Sequence, residues 1–263
     1  MALFGSLFCR LVLGLVIAFL FLPILIVLTV SFSSSAVFAF PPPGFSLRWY
    51  ASLGKADSLL QAVWLSTQIA ALSTAISLML GTLCAIAITR GMIPGAKAVA
   101  TFMASPLMLP GLVLGIAFLQ AARDFGLRDT YTTLLIAHVV ITMPFIMRTV
   151  LASLSLFDFA MVDAARMLGR SYPAALWTVL VPNILPGFVS GGLFAFIASF
   201  DNYPVSIFLV DVRTKTLPIQ LLNQVEMSPD PTVAAISALL ILGTIVALIV
   251  CDRLVGLKRM ASI

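Results

Sequence analysis

The segment 158–182, DFAMVDAARMLGRSYPAALWTVLVP, is a polar interruption between two long apolar stretches of the chain. Asp158 can cap the free N–H groups of a helix, and apolar residues then recur at helical spacing as far as Leu168. Gly169 permits a sharp turn, because glycine tolerates a positive φ at the end of a helix. The first half of the segment is therefore predicted to be a helix that ends in a glycine elbow.

The second half of the segment predicts another short helix. Ser171 and Pro173 are typical first-turn residues, and Pro182 is expected to close the helix. The whole segment would then be helix, elbow, helix, and it would lie between membrane spans. A rigid polar elbow in this position predicts a docking handle for a partner protein.

Part of this segment resembles the Glu-Ala-Ala loop of binding-protein-dependent ABC import permeases. The pattern of that family is Glu-Ala-Ala, three residues, Gly, nine residues, Ile, any residue, Leu-Pro. The spacing is kept here with Asp163 in place of Glu, Val179 in place of Ile and Val181 in place of Leu. The resemblance implies a coupling helix that sits in a groove of an ATPase subunit. It assigns the coupling role to Asp163, Ala164, Ala165, Arg166, Gly169 and Arg170.

The composition is that of a membrane protein. Of the 263 residues, 61% are hydrophobic and only 10% are charged, and the mean hydropathy is +1.15. A soluble helical protein of this length needs more charge to cover its surface. The isoelectric point near 9.4 does not indicate nucleic-acid binding, because the basic residues are scattered among apolar segments and form no patch.

Six apolar stretches approach or exceed the length of about 20 residues that crosses a bilayer. They cover residues 11–31, 60–89, 98–121, 132–154, 184–208 and 232–252. The first could be a secretory signal, since Arg10 precedes it, but the run is long and lacks a convincing small-x-small cleavage site. It is therefore expected to remain as a span. Pro106 and Pro110 predict a bend in the third span, and Pro144 predicts one in the fourth.

The lysines and arginines favour an N-terminus inside the cell. Nine of them then fall on cytoplasmic segments, namely Arg10, Arg90, Lys97, Arg148, Arg166, Arg170, Arg253, Lys258 and Arg259. Six fall on outer segments, namely Arg48, Lys55, Arg123, Arg128, Arg213 and Lys215. The acidic residues show the opposite bias, with three inside and seven outside. Both termini and the elbow are therefore predicted to be cytoplasmic.

The resemblance implies a fold and a set of partners. The fold is an all-α membrane protein with six transmembrane helices and a cytoplasmic coupling loop, as in type I ABC importers. An N-terminal helix and outer loop (1–58), a permease core (59–252) and a short cytoplasmic tail (253–263) are the expected regions. The expected partners are a second permease subunit, two copies of an ABC ATPase, an external solute-binding protein and the lipid of the bacterial inner membrane.

Several chemistries are absent from the sequence. It has no G-x-x-x-x-G-K-[ST] phosphate loop, catalytic dyad, metal-ligand spacing or internal repeat. The chain is therefore expected to be a transport subunit rather than an enzyme and to hold no cofactor, with ATP and Mg²⁺ bound by the partner ATPase. The rival interpretation is a self-sufficient secondary transporter or channel built as an oligomer, although such a carrier needs no cytoplasmic docking helix.

A narrower resemblance concerns the polyamine-type subgroup of these permeases. It is carried by PPPGFSLRWY (41–50), SFDNYPVSIFLV (199–210), and the TLPIQLL and SPDPTVAAISALLI segments that follow. It implies a spermidine- or putrescine-like solute, although opines, amino-acid derivatives and organophosphonates use similar permeases. Asp201, with Asn202 and Tyr203, lies at the predicted outer rim of span five. These three residues are candidates for attracting a cationic solute, the alternative being a cap at the membrane interface.

Polar residues inside the predicted spans have two interpretations each. His138 could serve a proton relay, but a neutral imidazole bonded to a serine or a backbone carbonyl costs less. Spans two and three are rich in Ser, Thr and Gly, which either allow close helix packing or line a pathway. The cysteines Cys9, Cys84 and Cys251 have no paired spacing and are interpreted as small apolar side chains.

Overall fold

The computed structural model describes residues 2–227 and 229–255, and it describes the side chains of residues 8–227 and 229–253. Lys258 and Arg259, which belong to the predicted tail, lie outside the described residues. The described part is almost entirely helical, and its α-helices are α1 (Ala2–Ser31), α2 (Arg48–Leu53), α3 (Asp57–Thr89), α4 (Ala96–Ala104), α5 (Gly111–Asp124), α6 (Thr130–Leu154), α7 (Ala160–Met167), α8 (Tyr172–Ala175), α9 (Val181–Phe200), α10 (Leu217–Met227) and α11 (Thr232–Val255).

The long helices confirm the predicted class of helical membrane protein. Five helical stretches are long and apolar enough to cross a bilayer, namely α1 from residue 8, α3, α6, the run from α8 through α9, and α11. The remaining predicted span, the third in chain order, is a broken pair, α4 and α5, which meets the length requirement only when its two parts are taken together. The described residues therefore hold five continuous candidate spans and one interrupted one.

The break in the third predicted span lies at its two prolines. A 3₁₀ turn from Ser105 to Met108 follows α4, Leu109 is extended with φ −90° and ψ 142°, and Pro110 precedes α5. The two parts meet at 106°. Proline cannot donate a backbone hydrogen bond, so the helix is interrupted there. The predicted bend is thus confirmed, and it is sharp enough to divide the span into two helices.

The boundaries predicted for the fifth span, 184–208, are wrong at both ends. The helix begins at Tyr172 and ends at Phe200. Pro182 does not close the short helix after the elbow, because residues 176–180 form a π-helical turn that joins α8 to α9. In that turn the N–H of Val181 donates to the carbonyl of Leu176, five residues back. The wider turn places Pro182 at the start of α9, where a missing N–H is tolerated.

The chain divides into two compact units. Among the described residues, the first contains 2–60, 221–227 and 229–246. In it the short helix α2 is tied to the end of α1: the indole N–H of Trp49 donates to the carbonyl of Ser33 at 2.8 Å. The Tyr50 hydroxyl lies 2.7 Å from the Ser31 hydroxyl. Two aromatic residues of α2, Trp49 and Tyr50, therefore hold this short helix in place.

Among the described residues, the second unit contains 61–220 and 247–255. Its tightest packing is between α6 and α9, where two glycines of α9 face α6. A Cβ on Gly187 would lie 2.6 Å from the carbonyl oxygen of Thr149, and one on Gly191 would lie 3.2 Å from the Cα of Ile146. Small residues allow helices to approach closely in lipid. The boundaries predicted at residues 58 and 252 remain predictions.

Hydroxyl groups of α3 form hydrogen bonds within this second unit. Ser73 lies 3.1 Å from Ser199, Ser77 lies 2.8 Å from Thr142, and the Ser66 hydroxyl accepts the N–H of Leu217 at 2.8 Å. These contacts favour the packing interpretation of the polar residues in span two over a pathway lining.

The glycines of span three also pack inside the second unit. A Cβ on Gly111 would lie 2.8 Å from the Pro204 ring, and one on Gly115 would lie 3.0 Å from the Pro204 carbonyl oxygen. The segment after α9 therefore rests directly on the backbone of α5. This contact again favours close packing as the role of the small residues.

Candidate functional site

The helix α7 begins and ends as the sequence predicted. The Asp158 carboxylate accepts the N–H of Ala160 at 2.9 Å and so satisfies a donor at the start of the helix. At the other end, the N–H of Gly169 donates to the carbonyl of Arg166 at 3.0 Å, and that of Arg170 donates to the carbonyl of Ala165 at 3.2 Å. This pair of bonds is a Schellman motif. Its glycine has φ +89°, which confirms the predicted elbow.

The loop is held to the helical bundle by its apolar face. Val162 is fully buried and shares a core cluster with residues of α3, α6 and α9. Ala165 and Tyr172 pack against the same cluster. Burying a valine side chain contributes roughly 1.5–3 kcal/mol. One face of α7 is thus anchored to the second unit, and this anchoring fixes the position of the other face.

The opposite face of the loop is exposed and partly apolar. Met161 is 50% exposed, Met167 is 90% exposed and Leu168 is 87% exposed. Large apolar side chains at the tip of a polar loop are unusual unless a partner covers them. We call the set Met161, Asp163, Met167, Leu168 and Arg170 the elbow surface. It combines exposed apolar side chains with charges of both signs.

Asp163 lies between two arginines. Its carboxylate is 3.6 Å from Arg166, one turn along α7, and 3.8 Å from Arg90, which follows α3. The guanidinium of Arg90 also lies over the ring of Phe159, 4.8 Å from its centroid. Arg166 lies 5.5 Å from the ring centroid of Tyr172. Sequence reasoning missed Arg90, since nothing in a local pattern connects residues 73 positions apart.

The structure brings the six predicted coupling residues together on one short loop. Ala165 is half-buried against the core, and the other five are exposed, namely Asp163, Ala164, Arg166, Gly169 and Arg170. The role of these residues in coupling stays a prediction. All of them except Ala165 are accessible to a partner protein.

The three candidate pathway residues lie at the far end of α9 from the loop. Asp201 follows the last residue of the helix and is exposed. The side-chain oxygen of Asn202 accepts the N–H of Val205 at 3.1 Å, so this amide stabilises a turn. Tyr203 is half-buried. The 20-residue helix α9, at 1.5 Å per residue, separates Asp201 from the elbow by about 30 Å.

His138 lies in a buried network of hydroxyl groups. Its Nδ1 is 2.7 Å from the Ser199 hydroxyl and its Nε2 is 3.0 Å from the Ser206 hydroxyl. The side chain is 1% exposed. Both ring nitrogens therefore have neutral partners, which matches the hydrogen-bonded interpretation of this histidine. The network ties α6 to the end of α9 and to the segment that follows.

Two carboxylates shape the loops at the Asp201 end of the second unit. Asp129 caps α6 by accepting the N–H of Thr132 at 2.8 Å, and hydrogen bonds from the Thr132 hydroxyl and N–H lower the pKa of Asp129. Asp211 accepts the Thr130 hydroxyl at 2.8 Å and the N–H of Thr214 at 2.7 Å. Together these bonds lower the pKa of Asp211, and the hydrogen bond from the Thr130 hydroxyl has the largest effect. Both acids are therefore charged and structural at neutral pH.

A cleft of about 460 Å³ opens between α6, α9 and α11 within the second unit. Its polar lining consists of neutral groups, among them Thr149, Ser153, Asn183 and Ser190. No cluster of three or more histidine, cysteine or acidic side chains suited to a metal occurs within residues 2–227 and 229–255. The cleft has room for a small molecule, but it offers no carboxylate that would select a cation.

Comparison with known proteins agrees with this geometry. Residues 77–257 match the family described as "Binding-protein-dependent transport system inner membrane component". The chain is 32% identical over 244 residues to the spermidine/putrescine transport system permease protein PotC of Haemophilus influenzae, covering 93% of this chain and 94% of the relative. It is 30% identical over 234 residues to the putrescine transport system permease protein PotI of Escherichia coli K12, covering 86% and 83%.

Solved structures show the same fold at lower identity. A chain of a bacterial ABC transporter that imports the acidic polysaccharide alginate matches with a TM-score of 0.69 and 19% identity, over 97% of this chain and 96% of that one. A chain of the MetNI methionine ABC transporter in an inward-facing conformation matches with a TM-score of 0.59 and 18% identity, over 77% and 97%.

In this family a separate subunit hydrolyses ATP. The match therefore favours an importer subunit over a self-sufficient carrier. From the match over residues 77–257 and the shared fold, the chain belongs to the inner membrane components of binding-protein-dependent transport systems, the permease subunits of ABC importers.

Proposed function

We propose that this permease subunit carries a polyamine such as spermidine or putrescine into the cell. The observation that carries the proposal is the likeness to PotC and PotI, which extends over more than four fifths of each chain. The solved neighbours, at 18–19% identity, support the fold alone. The solute is therefore inferred from relatives in sequence rather than from relatives in structure.

The proposed complex contains a second permease subunit, two copies of an ABC ATPase and an external solute-binding protein. ATP and Mg²⁺ are bound by the ATPase, and this chain holds no cofactor. The chain is proposed to lie in the bacterial inner membrane with both termini and the elbow surface in the cytoplasm. The excess of lysine and arginine on those segments supports this orientation.

The elbow surface is proposed to dock on the ATPase. Its apolar tips, Met167 and Leu168, are exposed and suit a hydrophobic groove. The π-helical turn joins α8 to α9 without a break. A displacement of the docked loop is therefore delivered directly to the base of a membrane-spanning helix, without a flexible linker in between.

Closure of the ATPase dimer on ATP would move the loops of the two permeases together. The helices would then rock from inward-open to outward-open, so that the binding protein can deliver its solute. ATP can drive this shift only by binding the closed state more tightly than the open state. The part played by this chain is to convert loop motion into helix motion.

Asp201 is proposed to attract the solute at the outer rim. Its carboxylate is exposed at the end of α9, and the predicted outer segments carry seven of the ten acidic residues. Asn202 is assigned to holding the turn after the helix, because its side chain accepts the N–H of Val205. Tyr203 lies next to both and is proposed to line the same rim.

Reconstitution tests this proposal. The complete complex in vesicles, supplied with its binding protein and internal ATP, is expected to accumulate labelled putrescine or spermidine against a gradient. An uncharged solute of similar length, such as an alkanediol, is the control and is expected not to accumulate above its outside concentration. Uptake of a neutral or anionic solute in preference to both polyamines would contradict the proposed substrate class and leave the permease assignment intact.

A further inference from the structure

The end of α3 meets the coupling loop at one charged side chain. The Arg90 guanidinium lies 3.8 Å from Asp163 and 4.8 Å from the centroid of the Phe159 ring. We propose that Arg90 is the positioning residue through which motion of the loop reaches α3. This inference rests on the proposed function, because it takes the loop to move with the ATPase.

The backbone around Arg90 is fixed relative to α3. Its N–H donates to the carbonyl of Ile86 at 2.9 Å, which continues the helix by one residue. The N–H of Gly91 then donates to Ile88 at 3.1 Å and that of Met92 to Ala87 at 3.0 Å, which completes a Schellman motif. Gly91 adopts φ +64°. A force on the Arg90 side chain is therefore passed to the helix rather than absorbed by a loose loop.

Chain connectivity explains why α3 needs such a contact. The helix α6 runs into the coupling loop, and α9 leaves it through the π-helical turn. The helix α3 has no chain connection to the loop. Ala85 of α3 shares the core cluster with Val162 of α7, and buried hydroxyl groups join the middle of α3 to α6 and α9, but neither contact involves a polar group of the loop. The ion pair with Asp163 and the ring contact with Phe159 give the junction a defined position.

Arg166 cannot perform this role, although it contacts the same carboxylate. It lies on α7 itself, one turn from Asp163, so its ion pair stays within one element. Exposed ion pairs contribute little to stability, and Asp163 is half-exposed. Loss of Arg90 is therefore expected to leave the folded subunit intact and to change how its parts move together.

Two cysteine reporters separate the motion of α3 from that of α9. Cys84 is a native, half-buried thiol on α3, and a Ser190→Cys variant supplies a thiol on α9 beside the cleft. Each reporter is used alone, with the other cysteines replaced by serine. The rate of labelling by a small maleimide is measured in the complete complex, with and without Mg-ATP trapped in the ATPase.

In the otherwise unchanged subunit, trapped ATP is expected to change the labelling rate at both reporters. With Arg90→Gln, the ratio of the labelling rates at Cys84 with and without ATP is expected to move toward one, because the end of α3 loses its polar contact with the loop. The ratio at the Ser190→Cys reporter is expected to persist, because α9 is joined to the loop by the chain. Arg90→Lys, which keeps the charge, is expected to retain part of the response at Cys84.

The matched control is Arg148→Gln, which removes an exposed arginine of α6 that forms no ion pair with any residue in the described ranges. It is expected to leave both ratios unchanged. A full response of Cys84 in Arg90→Gln would overturn the inference. Loss of the response at both reporters would also overturn it, because Arg90 would then hold the whole loop in place rather than link it to α3. An unresponsive parent subunit would instead contradict ATP-driven loop motion and thus the proposed function.

Discussion

Among single residues, Gly169 and Asp163 determine most of the character of the elbow. The glycine is required by backbone conformation alone, since its φ is +89° and a Cβ there would meet no atom within 4 Å. The aspartate is held between Arg90 and Arg166 and remains half-exposed. One residue therefore sets the geometry of the elbow, and the other sets part of its charge.

Gly169→Val is expected to abolish most transport while the subunit remains in the membrane. A β-branched residue at this φ is strained by about 1–3 kcal/mol, so the elbow would adopt another geometry. Uptake and membrane content are the measurements. Gly169→Asn, which tolerates positive φ better, is expected to retain more activity.

The matched control for this change is Gly243→Val, because Gly243 lies in a regular part of α11 and also has open space around it. It is expected to transport normally. Unchanged uptake in Gly169→Val would show that the elbow is not the coupling device.

Asp163→Lys is expected to weaken attachment of the ATPase, because it reverses a charge on the elbow surface and places three cations together. Co-purification of the ATPase with the tagged permease measures the effect. Asp163→Asn serves as the milder control, since it removes the charge without adding one. A wild-type yield of ATPase with the lysine variant would instead assign Asp163 to its ion pairs within the subunit, each worth about 0.2–1 kcal/mol.

At the scale of elements, the interface between α6 and α9 joins the coupling loop to the interior of the bundle. The helix α6 enters the loop and α9 leaves it, and both pack closely where Gly187 and Gly191 face Thr149. The two helices therefore form a tight pair that starts at the loop itself.

Gly187→Ala is expected to destabilise the subunit by about 1–3 kcal/mol, because overpacking forces the backbone apart. The added Cβ would lie 2.6 Å from the Thr149 carbonyl oxygen, which is backbone and cannot rotate away. Thermal unfolding of the purified complex measures the loss. Gly192→Ala is the matched control, since its nearest neighbour, Leu78, would be 3.5 Å away; equal unfolding temperatures for both variants would contradict the close contact.

Much of this architecture could be predicted from local sequence. Apolar length identified the spans, Pro106 and Pro110 marked the break between α4 and α5, and Gly169 marked the elbow, because each acts through the backbone of its own neighbourhood. Continuity across Pro182 could not be predicted, since a π-helical turn has no clear sequence signal. The contact between Arg90 and Asp163 depends on how distant helices pack, which a single sequence does not reveal.

At the scale of the whole molecule, charge is distributed unevenly along the chain. Predicted cytoplasmic segments are basic, and predicted outer segments hold most of the acidic residues. Two of those acids stabilise local structure, since Asp129 and Asp211 accept hydrogen bonds from the backbone N–H groups of Thr132 and Thr214. Asp201 is exposed and is the residue proposed to act on a cation.

Asp201→Asn is expected to slow polyamine uptake moderately while assembly of the complex is retained. A carboxylate attracts a cation through water, and salt screens this attraction over about 8–10 Å. The difference from the parent should therefore shrink as ionic strength rises. Uptake into vesicles with purified binding protein, at low and high salt, measures it.

Asp124→Asn, at the end of α5 and also exposed, is the control for a general loss of surface charge and is expected to have a smaller effect. Equal uptake by Asp201→Asn and the parent at both salt concentrations would reduce Asp201 to an interface cap.

Docking of the ATPase on the elbow surface is tested by site-specific photocrosslinking in intact cells. A photoreactive amino acid in place of Leu168, which is 87% exposed on the elbow, is expected to capture the ATPase subunit. The same probe in place of Val212, which is 89% exposed on a predicted outer loop, is expected to capture none. Capture of the ATPase from position 212, or its absence at position 168 in an assembled and active complex, would show that the ATPase does not dock on the elbow surface.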